Sequence, residues 1–270
     1  MITLNELDEL LFTIKMQFDY DFSDYSKASM LRRVNRFMEI NKMTNTVDLK
    51  FELINNPIIF QNFINEIVVN VSDFFRDPSF FKALQQKVFP YLNSYPKITI
   101  WSAGCSFGEE AYSLNILLKE NKLFDKTRIY GTDISSNAIE RSRKGIYDNS
   151  NFKDYVKNYF DCGGKETLND YFVTDEKHSM INSELKQNIL FSNHNLVADS
   201  VFKECQLILC RNVLIYFNND LQNKALKLFY DSLPIYGFLA IGKKESLRFS
   251  SVYENFKEID REEKIYQKIK

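Results

Sequence analysis

Ile98-Thr99-Ile100-Trp101-Ser102-Ala103-Gly104-Cys105-Ser106-Phe107-Gly108-Glu109-Glu110 is the stretch on which the fold turns. Its first four residues are β-branched or aromatic and read as a short strand. Ser102-Ala103-Gly104 breaks the run, and from about Glu109 to Glu120 the pattern becomes helical. Glycines at a strand-to-helix turn let the backbone approach a ligand closely, and the helix start offers N–H groups with no partner of their own.

Working outward, strand and helix alternate on the C-terminal side. Arg128 to Asp133 reads as a strand, Ser136 to about Lys144 as a helix, Gln206 to Cys210 as a strand, Asp220 to Leu233 as a helix and Phe238 to Gly242 as a strand. Such alternation predicts a mostly parallel sheet with helices on both faces. Phe256–Ile259 and Lys264–Lys268 are β-leaning, are joined by charged residues, and suit an antiparallel hairpin closing that sheet. Between Gly145 and Asn195 the pattern is less regular, and residues 146–194 are expected to hold a small β insertion. On the N-terminal side the reading is helical. Leu4, Leu7, Leu10, Leu11 and Ile14 recur at helix spacing, as do Met30, Leu31, Val34, Phe37 and Met38. So do Phe60, Phe63, Ile64, Ile67 and Val68, and a further helix follows Pro78. The character changes at Tyr95-Pro96. The expectation is a helical domain over 1–90 and an α/β domain over 91–270.

Composition narrows the function classes. The 270 residues are 44% hydrophobic and 26% charged, with a formal net charge of -1. No global field draws such a chain to nucleic acid or membrane. No apolar run approaches the roughly 20 residues that span a bilayer, and the acidic N-terminus does not read as a secretory signal. Cys105, Cys162, Cys205 and Cys210 form no Cys-x-x-Cys pair, so a metal site is not expected and reduced cytoplasmic thiols are. His178 and His194 are the only histidines, and neither lies near a nucleophile-elbow motif.

Asp133 follows Gly108 by 25 residues at a strand end, where a carboxylate can accept both hydroxyls of a ribose. Gly104 and Gly108 are spaced Gly-x-x-x-Gly rather than Gly-x-Gly-x-x-Gly, which counts against NAD. An adenosyl sulfonium carries no phosphate and does not need the tighter turn. A plain tight turn would use the same two glycines.

Five motifs occur in order: Asn70-Val71-Ser72-Asp73-Phe74-Phe75-Arg76-Asp77-Pro78; Ile100 through Ser113; Tyr130-Gly131-Thr132-Asp133-Ile134-Ser135; Asn195-Leu196; and Leu209-Cys210-Arg211-Asn212-Val213-Leu214-Ile215-Tyr216-Phe217. Together, over roughly residues 25–250, they closely resemble the CheR family of protein-glutamate methyltransferases. Phe107 stands where that family usually has Thr, and Ala111 where it usually has Pro. Phe107 would narrow the cofactor loop. The resemblance implies a Rossmann-like S-adenosylmethionine methyltransferase domain with a mostly parallel seven-stranded sheet and a C-terminal antiparallel hairpin, preceded by a small all-helical domain.

By that resemblance the cofactor is S-adenosyl-L-methionine, leaving as S-adenosyl-L-homocysteine. Asn70, Ser72 and Arg76 would cover its methionine end. Gly104 would let the backbone approach, Glu109 or Glu110 would hold the amino group and Asp133 the ribose. Asn195 and Leu196 would flank the adenine, with Arg211 and Asn212 beside the transferring methyl. The implied acceptor is a glutamate on the cytoplasmic helices of a methyl-accepting chemoreceptor, met by a monomeric cytoplasmic enzyme. Methyl transfer to a carboxylate is an in-line displacement, and a glutamate of pKa about 4.3 is already ionised at neutral pH, so no general base is required. Arg76 is a planar fork suited to a carboxylate, and Tyr216 can donate to the acceptor. The bland alternatives are an ion pair of Arg76 with Asp73 or Asp77, and packing of Tyr216 against Phe217. Arg32, Arg33 and Arg36 can share a helix face that would attract a glutamate-rich helix, or they can form a solvated flank. The insertion matches where some family members dock a receptor's tail peptide by strand addition. Rival readings are a same-fold methyltransferase with another acceptor and a catalytically silent cofactor-binding module. Nucleic-acid methylation is disfavoured, because no extended basic stripe is present.

Overall fold

The computed structural model describes residues 2–18, 20–67, 72–196 and 203–270. The chain divides into two compact units, one formed by Met1–Asn70 with Leu214–Lys224 and the other by Val71–Val213 with Ala225–Lys270.

The first unit contains α1 (Leu4–Phe18), α2 (Lys27–Ile40), α3 (Thr46–Asn55) and α4 (Pro57–Ile67). Each helix buries one stripe. Leu7, Leu10, Leu11 and Ile14 come from α1, Val34 and Phe37 from α2, Leu49 and Leu53 from α3, and Phe63, Ile64 and Ile67 from α4. Burying such a side chain is worth about 1.5–3 kcal/mol against leaving it in water. Phe37 and Phe63 meet edge to face at 5.2 Å between centroids. Asn45 caps α3, its side chain accepting from the Asp48 N–H. In the same unit Tyr25 pairs with Phe217 as an isolated bridge, and the Ser26 N–H donates to the Tyr216 carbonyl at 2.8 Å.

The second unit opens with α5 (Pro78–Lys87) and α6 (Phe89–Leu92) and then alternates through β1 (Ile98–Ala103), α7 (Glu109–Glu120), β2 (Thr127–Asp133) and α8 (Ser136–Lys144). An insertion follows, made of β3 (Ile146–Asp148), α9 (Phe152–Asp161), β4 (Phe172–Thr174) and β5 (His178–Ile181). After α10 (Ser183–Lys186) the chain returns through β6 (Ile189–Asn193), β7 (Leu207–Cys210), α11 (Asn219–Ser232), β8 (Phe238–Ile241), β9 (Phe256–Asp260) and β10 (Ile265–Lys268).

The expected seven-stranded sheet is present in the order β6-β2-β1-β7-β8-β10-β9. β6, β2, β1, β7 and β8 run parallel, and β10 pairs antiparallel with both β8 and β9. The C-terminal hairpin therefore closes one edge, with its second strand inside. The β insertion is a separate three-stranded antiparallel sheet ordered β3-β5-β4. Ile189 to Asn193, read as part of the irregular stretch, instead forms the far edge of the main sheet. From β1 the chain winds outward one way through β2 and β6, then returns to β7 on the other side of β1. Parallel sheets bind ligands beyond the carboxyl ends of their strands at such a reversal. The inner strands β1, β7 and β8 are buried almost throughout, as expected of a sheet covered on both faces.

Candidate active site

The carboxyl ends of four adjacent strands, β6, β2, β1 and β7, carry most of the residues singled out by the sequence. Gly104 follows β1, Asp133 ends β2, Asn195 and Leu196 lie just past β6, and Arg211 and Asn212 follow β7. Gly104 has φ +75, and a Cβ there would lie 2.4 Å from a Val213 methyl, so only glycine fits. The Gly104 and Cys105 N–H groups both donate to the Thr132 carbonyl, at 2.7 and 2.9 Å, which fixes the β1–α7 turn to the end of β2.

Asp133 is buried, and its carboxylate takes backbone donors from Ser106, Ser135 and Ile134. Ser106 N–H reaches Oδ2 and Ser135 N–H reaches Oδ1, both at 2.9 Å. Burial pushes its carboxyl above the usual range, and these backbone donors oppose the shift. A carboxylate has about four acceptor sites, so beside three backbone donors it keeps acceptor capacity for a ribose hydroxyl. The His194 N–H donates to the Asp133 carbonyl at 3.1 Å, which ties the chain leading into Asn195 and Leu196 to the same strand end.

Arg211 is the electrostatic hub. Its side chain is 2% exposed and pairs with Asp77 and, at 3.1 Å, with Glu110. It lies 3.9 Å over the Phe80 ring and donates to the Arg76 carbonyl at 3.4 Å. One guanidinium and two carboxylates leave a formal charge of −1, a locus that favours a cation. Asp77, one of the two acids considered as partners of Arg76, pairs with Arg211. Arg76 itself is half-buried. It lies between two left-handed non-glycine residues, Phe75 at φ 53 and Asp77 at φ 58. Left-handed backbone costs a bulky residue about 1–2 kcal/mol. The segment is held by Ser113, whose Oγ accepts from Phe75 N–H at 2.9 Å, and by Asn158, which donates to the Phe74 carbonyl at 3.2 Å.

Glu109 and Glu110 diverge. Glu110 accepts from the Ser102 hydroxyl at 3.1 Å and faces Arg211. Glu109 is buried, and its Oε2 has no hydrogen-bond partner. Burial pushes its carboxyl up to about 7, against the pull of its own N–H, the Ser72 hydroxyl and Arg141. Phe107 does not lie free over the loop. Its ring sits 3.8 Å beneath the Arg141 guanidinium, and its carbonyl accepts from the Tyr147 hydroxyl at 2.8 Å. The Cys105 thiol is buried and raised by that burial and by Asp133, so it is no nucleophile.

Asn70 lies outside the described residues. In the first unit, the three arginines of α2 do not share one face. Arg32 and Arg36 are exposed, Arg36 pairing with Glu66 at 3.2 Å, whereas Arg33 is buried. Arg33 donates to the Ile67 carbonyl and lies 4.6 Å over the Tyr216 ring, with a hydrogen bond to that side chain. Sequence reasoning missed Ser106, Ser113 and Glu245. Glu245 Oε2 accepts from the backbone N–H groups of Asn212 and Gly242. Lys243-Lys244-Glu245 reads as a solvated loop, so no local signal marks it. A reciprocal question, which groups answer the backbone donors at each strand end, would have asked for it.

The residues present fit an adenosyl sulfonium with an amino-acid tail: a glycine-only approach, a buried carboxylate with acceptor capacity left and a net-anionic hub. A family model described as the CheR methyltransferase SAM binding domain matches residues 70–265, and one described as the CheR methyltransferase all-alpha domain matches 5–68. The Pseudomonas putida protein Cher3, a methyltransferase by name, is 39% identical over 97% of this chain and 96% of its own. The chemotaxis protein methyltransferase of Listeria innocua is 31% identical over 92% of this chain and 93% of its own. Among solved structures, the N-methyltransferase NodS from Bradyrhizobium japonicum, in complex with S-adenosyl-L-homocysteine, is 16% identical with a TM-score of 0.37 over 72% of this chain and 70% of its own.

Proposed function

The chain belongs to the CheR methyltransferase family, and from that premise we propose that it methylates glutamate side chains on the cytoplasmic helices of a methyl-accepting chemoreceptor. The chain is an S-adenosylmethionine-dependent methyltransferase. The observation that carries the further reading is the convergence of Gly104, Asp133, Glu110 and Arg211 around the ends of adjacent strands, with no histidine among them and both carboxylates already engaged. That suits an acceptor already ionised at neutral pH.

Bound S-adenosylmethionine supplies an electrophilic methyl group; the chain's residues hold and orient. Asp133 accepts the ribose hydroxyls, and Asn195 and Leu196 flank the adenine. Glu110 rather than Glu109 takes the amino group, because it sits in the anionic hub with Arg211, whereas a carboxyl raised to about 7 is only about half ionised at neutral pH. Ser72 and Arg76 cover the methionine end, Arg76 gripping a carboxylate. Arg33, by donating to the Tyr216 oxygen, leaves the phenolic proton free for the acceptor glutamate. Charge is neutralised in the transfer, so positioning matters more than added charge. Arg32 and Arg36 on the exposed face of α2 steer the acidic receptor helix. The enzyme acts in the cytoplasm as a monomer. Among the described residues no helix is long and apolar enough to cross a membrane.

The test is incubation with labelled S-adenosylmethionine and receptor-containing membranes. Base-labile label on a receptor-sized band is expected. Base-stable label would move the acceptor to another chemical class.

A further inference from the structure

Asn212 is one of eight non-glycine residues with positive φ among those described, at +62. Asparagine tolerates this backbone better than most side chains, but something must still hold it there. β7 and β8 pair in parallel up to Cys210 with Ile241. Beyond that register the left-handed turn at Asn212 takes its N–H out of the ladder. Glu245 takes over. A single oxygen, Oε2, accepts from Asn212 N–H at 3.2 Å and from Gly242 N–H. The Glu245 N–H donates to the Gly242 carbonyl at 2.9 Å, which turns its side chain back toward the strand ends. The junction is close-packed: a Cβ on Gly242 would lie 2.8 Å from Glu245 Oε2, 2.9 Å from Asn212 N and 3.1 Å from Asn212 Nδ2.

Glu245 is 5% exposed. Burying a carboxylate is costly unless it is well hydrogen-bonded, and a fold that needed only to end two strands would do so more cheaply with water or an apolar contact. The expense makes sense if the conformation it fixes matters. We propose that Glu245 is a positioning residue that locks Asn212 in its left-handed conformation and so aims the Asn212 side chain into the cofactor site. This rests on the reading that Asn212 belongs to that site. In this role the carboxylate acts through the backbone of its neighbour.

The experiment is S-adenosyl-L-homocysteine binding by calorimetry for Glu245→Ala, Glu245→Gln, Asn212→Gly and the Glu245→Ala/Asn212→Gly double variant, with denaturant unfolding of each. Glycine at 212 keeps the N–H and the backbone conformation while removing the side chain. Glu245→Ala is expected to lose at least tenfold in affinity. Glu245→Gln keeps an acceptor oxygen at the same reach and is expected within threefold of wild type. The double variant is expected to bind no more weakly than Asn212→Gly. Wild-type affinity in Glu245→Ala beside a weakened Asn212→Gly overturns the proposal alone, as do losses that multiply in the double variant. Wild-type affinity in Asn212→Gly removes Asn212 from the site and the proposal with it. Where Glu245→Ala does not fold, Glu245→Asp replaces it. Aspartate keeps the charge but is one methylene short of both N–H groups, so a tenfold loss supports positioning and wild-type binding refutes it.

Discussion

Glu109 and Glu110 are neighbours on α7, yet their surroundings give them different chemistry. Glu110 meets a guanidinium and a hydroxyl, whereas Glu109 is buried with one oxygen unanswered. For Glu109 the folded pKa of about 7 lies above its ordinary 4.5 because of desolvation. Between those values the folded state binds more protons than the unfolded one, so stability falls as pH rises through the window and is flat above it. The full difference is on the order of 3 kcal/mol. Glu109→Gln, neutral at every pH, is expected to flatten that slope. Urea unfolding at steps from pH 5 to pH 8 reads it directly. Parallel curves for wild type and variant would mean that Glu109 ionises normally in the fold.

At the scale of elements, α2 presents two arginines to solvent and turns a third inward. Exposed ion pairs such as Arg36 with Glu66 contribute little to stability. Their value is in the local field. Arg32→Glu with Arg36→Glu is expected to lower receptor methylation about tenfold at low salt. The gap should close as ionic strength rises and the Debye length falls below the approach distance. Affinity for S-adenosyl-L-homocysteine should not change, and a salt-independent loss would remove α2 from receptor recognition. The inward turn of Arg33 follows from helix geometry, since one step of about 100° takes it off the face of Arg32 and Arg36 and onto the stripe of Met30, Val34 and Phe37, and its charge masked that place in the sequence. The helices α7 and α8 were legible end to end, since apolar periodicity and turn residues agree there. α3 was not, because Val47, Phe51 and Ile54 are exposed and blur the stripe made by Leu49 and Leu53. β6 was hidden for another reason. The insertion separates it from β2 in sequence, and as an edge strand it exposes Leu190, so neither alternation nor a continuous apolar run marks it. The strand-end placement of Gly104, Asp133 and Arg211 was legible because glycines and charged groups at strand ends are chemically distinctive. Supports such as Ser113 and Glu245 were not, because they answer backbone donors far away in sequence.

For the molecule as a whole, ligand affinity and stability are linked: a ligand that binds only the folded state stabilises it by RT ln(1 + [L]/Kd). At a hundredfold excess over Kd this is about 2.7 kcal/mol, which for a chain of this size raises Tm by roughly 5–10 °C. The stabilisation should track the Asp133 carboxylate, because its remaining acceptor capacity lies among the four strand ends. Asp133→Ala also leaves the Ser106 and Ser135 N–H groups without their acceptor, costing about 1–3 kcal/mol each where water cannot replace it. The variant is therefore expected to melt lower without ligand and to need at least tenfold more S-adenosyl-L-homocysteine for the same rise above its own baseline. Differential scanning fluorimetry across a ligand titration separates the two effects, since one moves the baseline and the other moves the midpoint of the dose curve. A lowered baseline with an unchanged dose curve would make Asp133 a fold residue only and would assign the ribose to another partner.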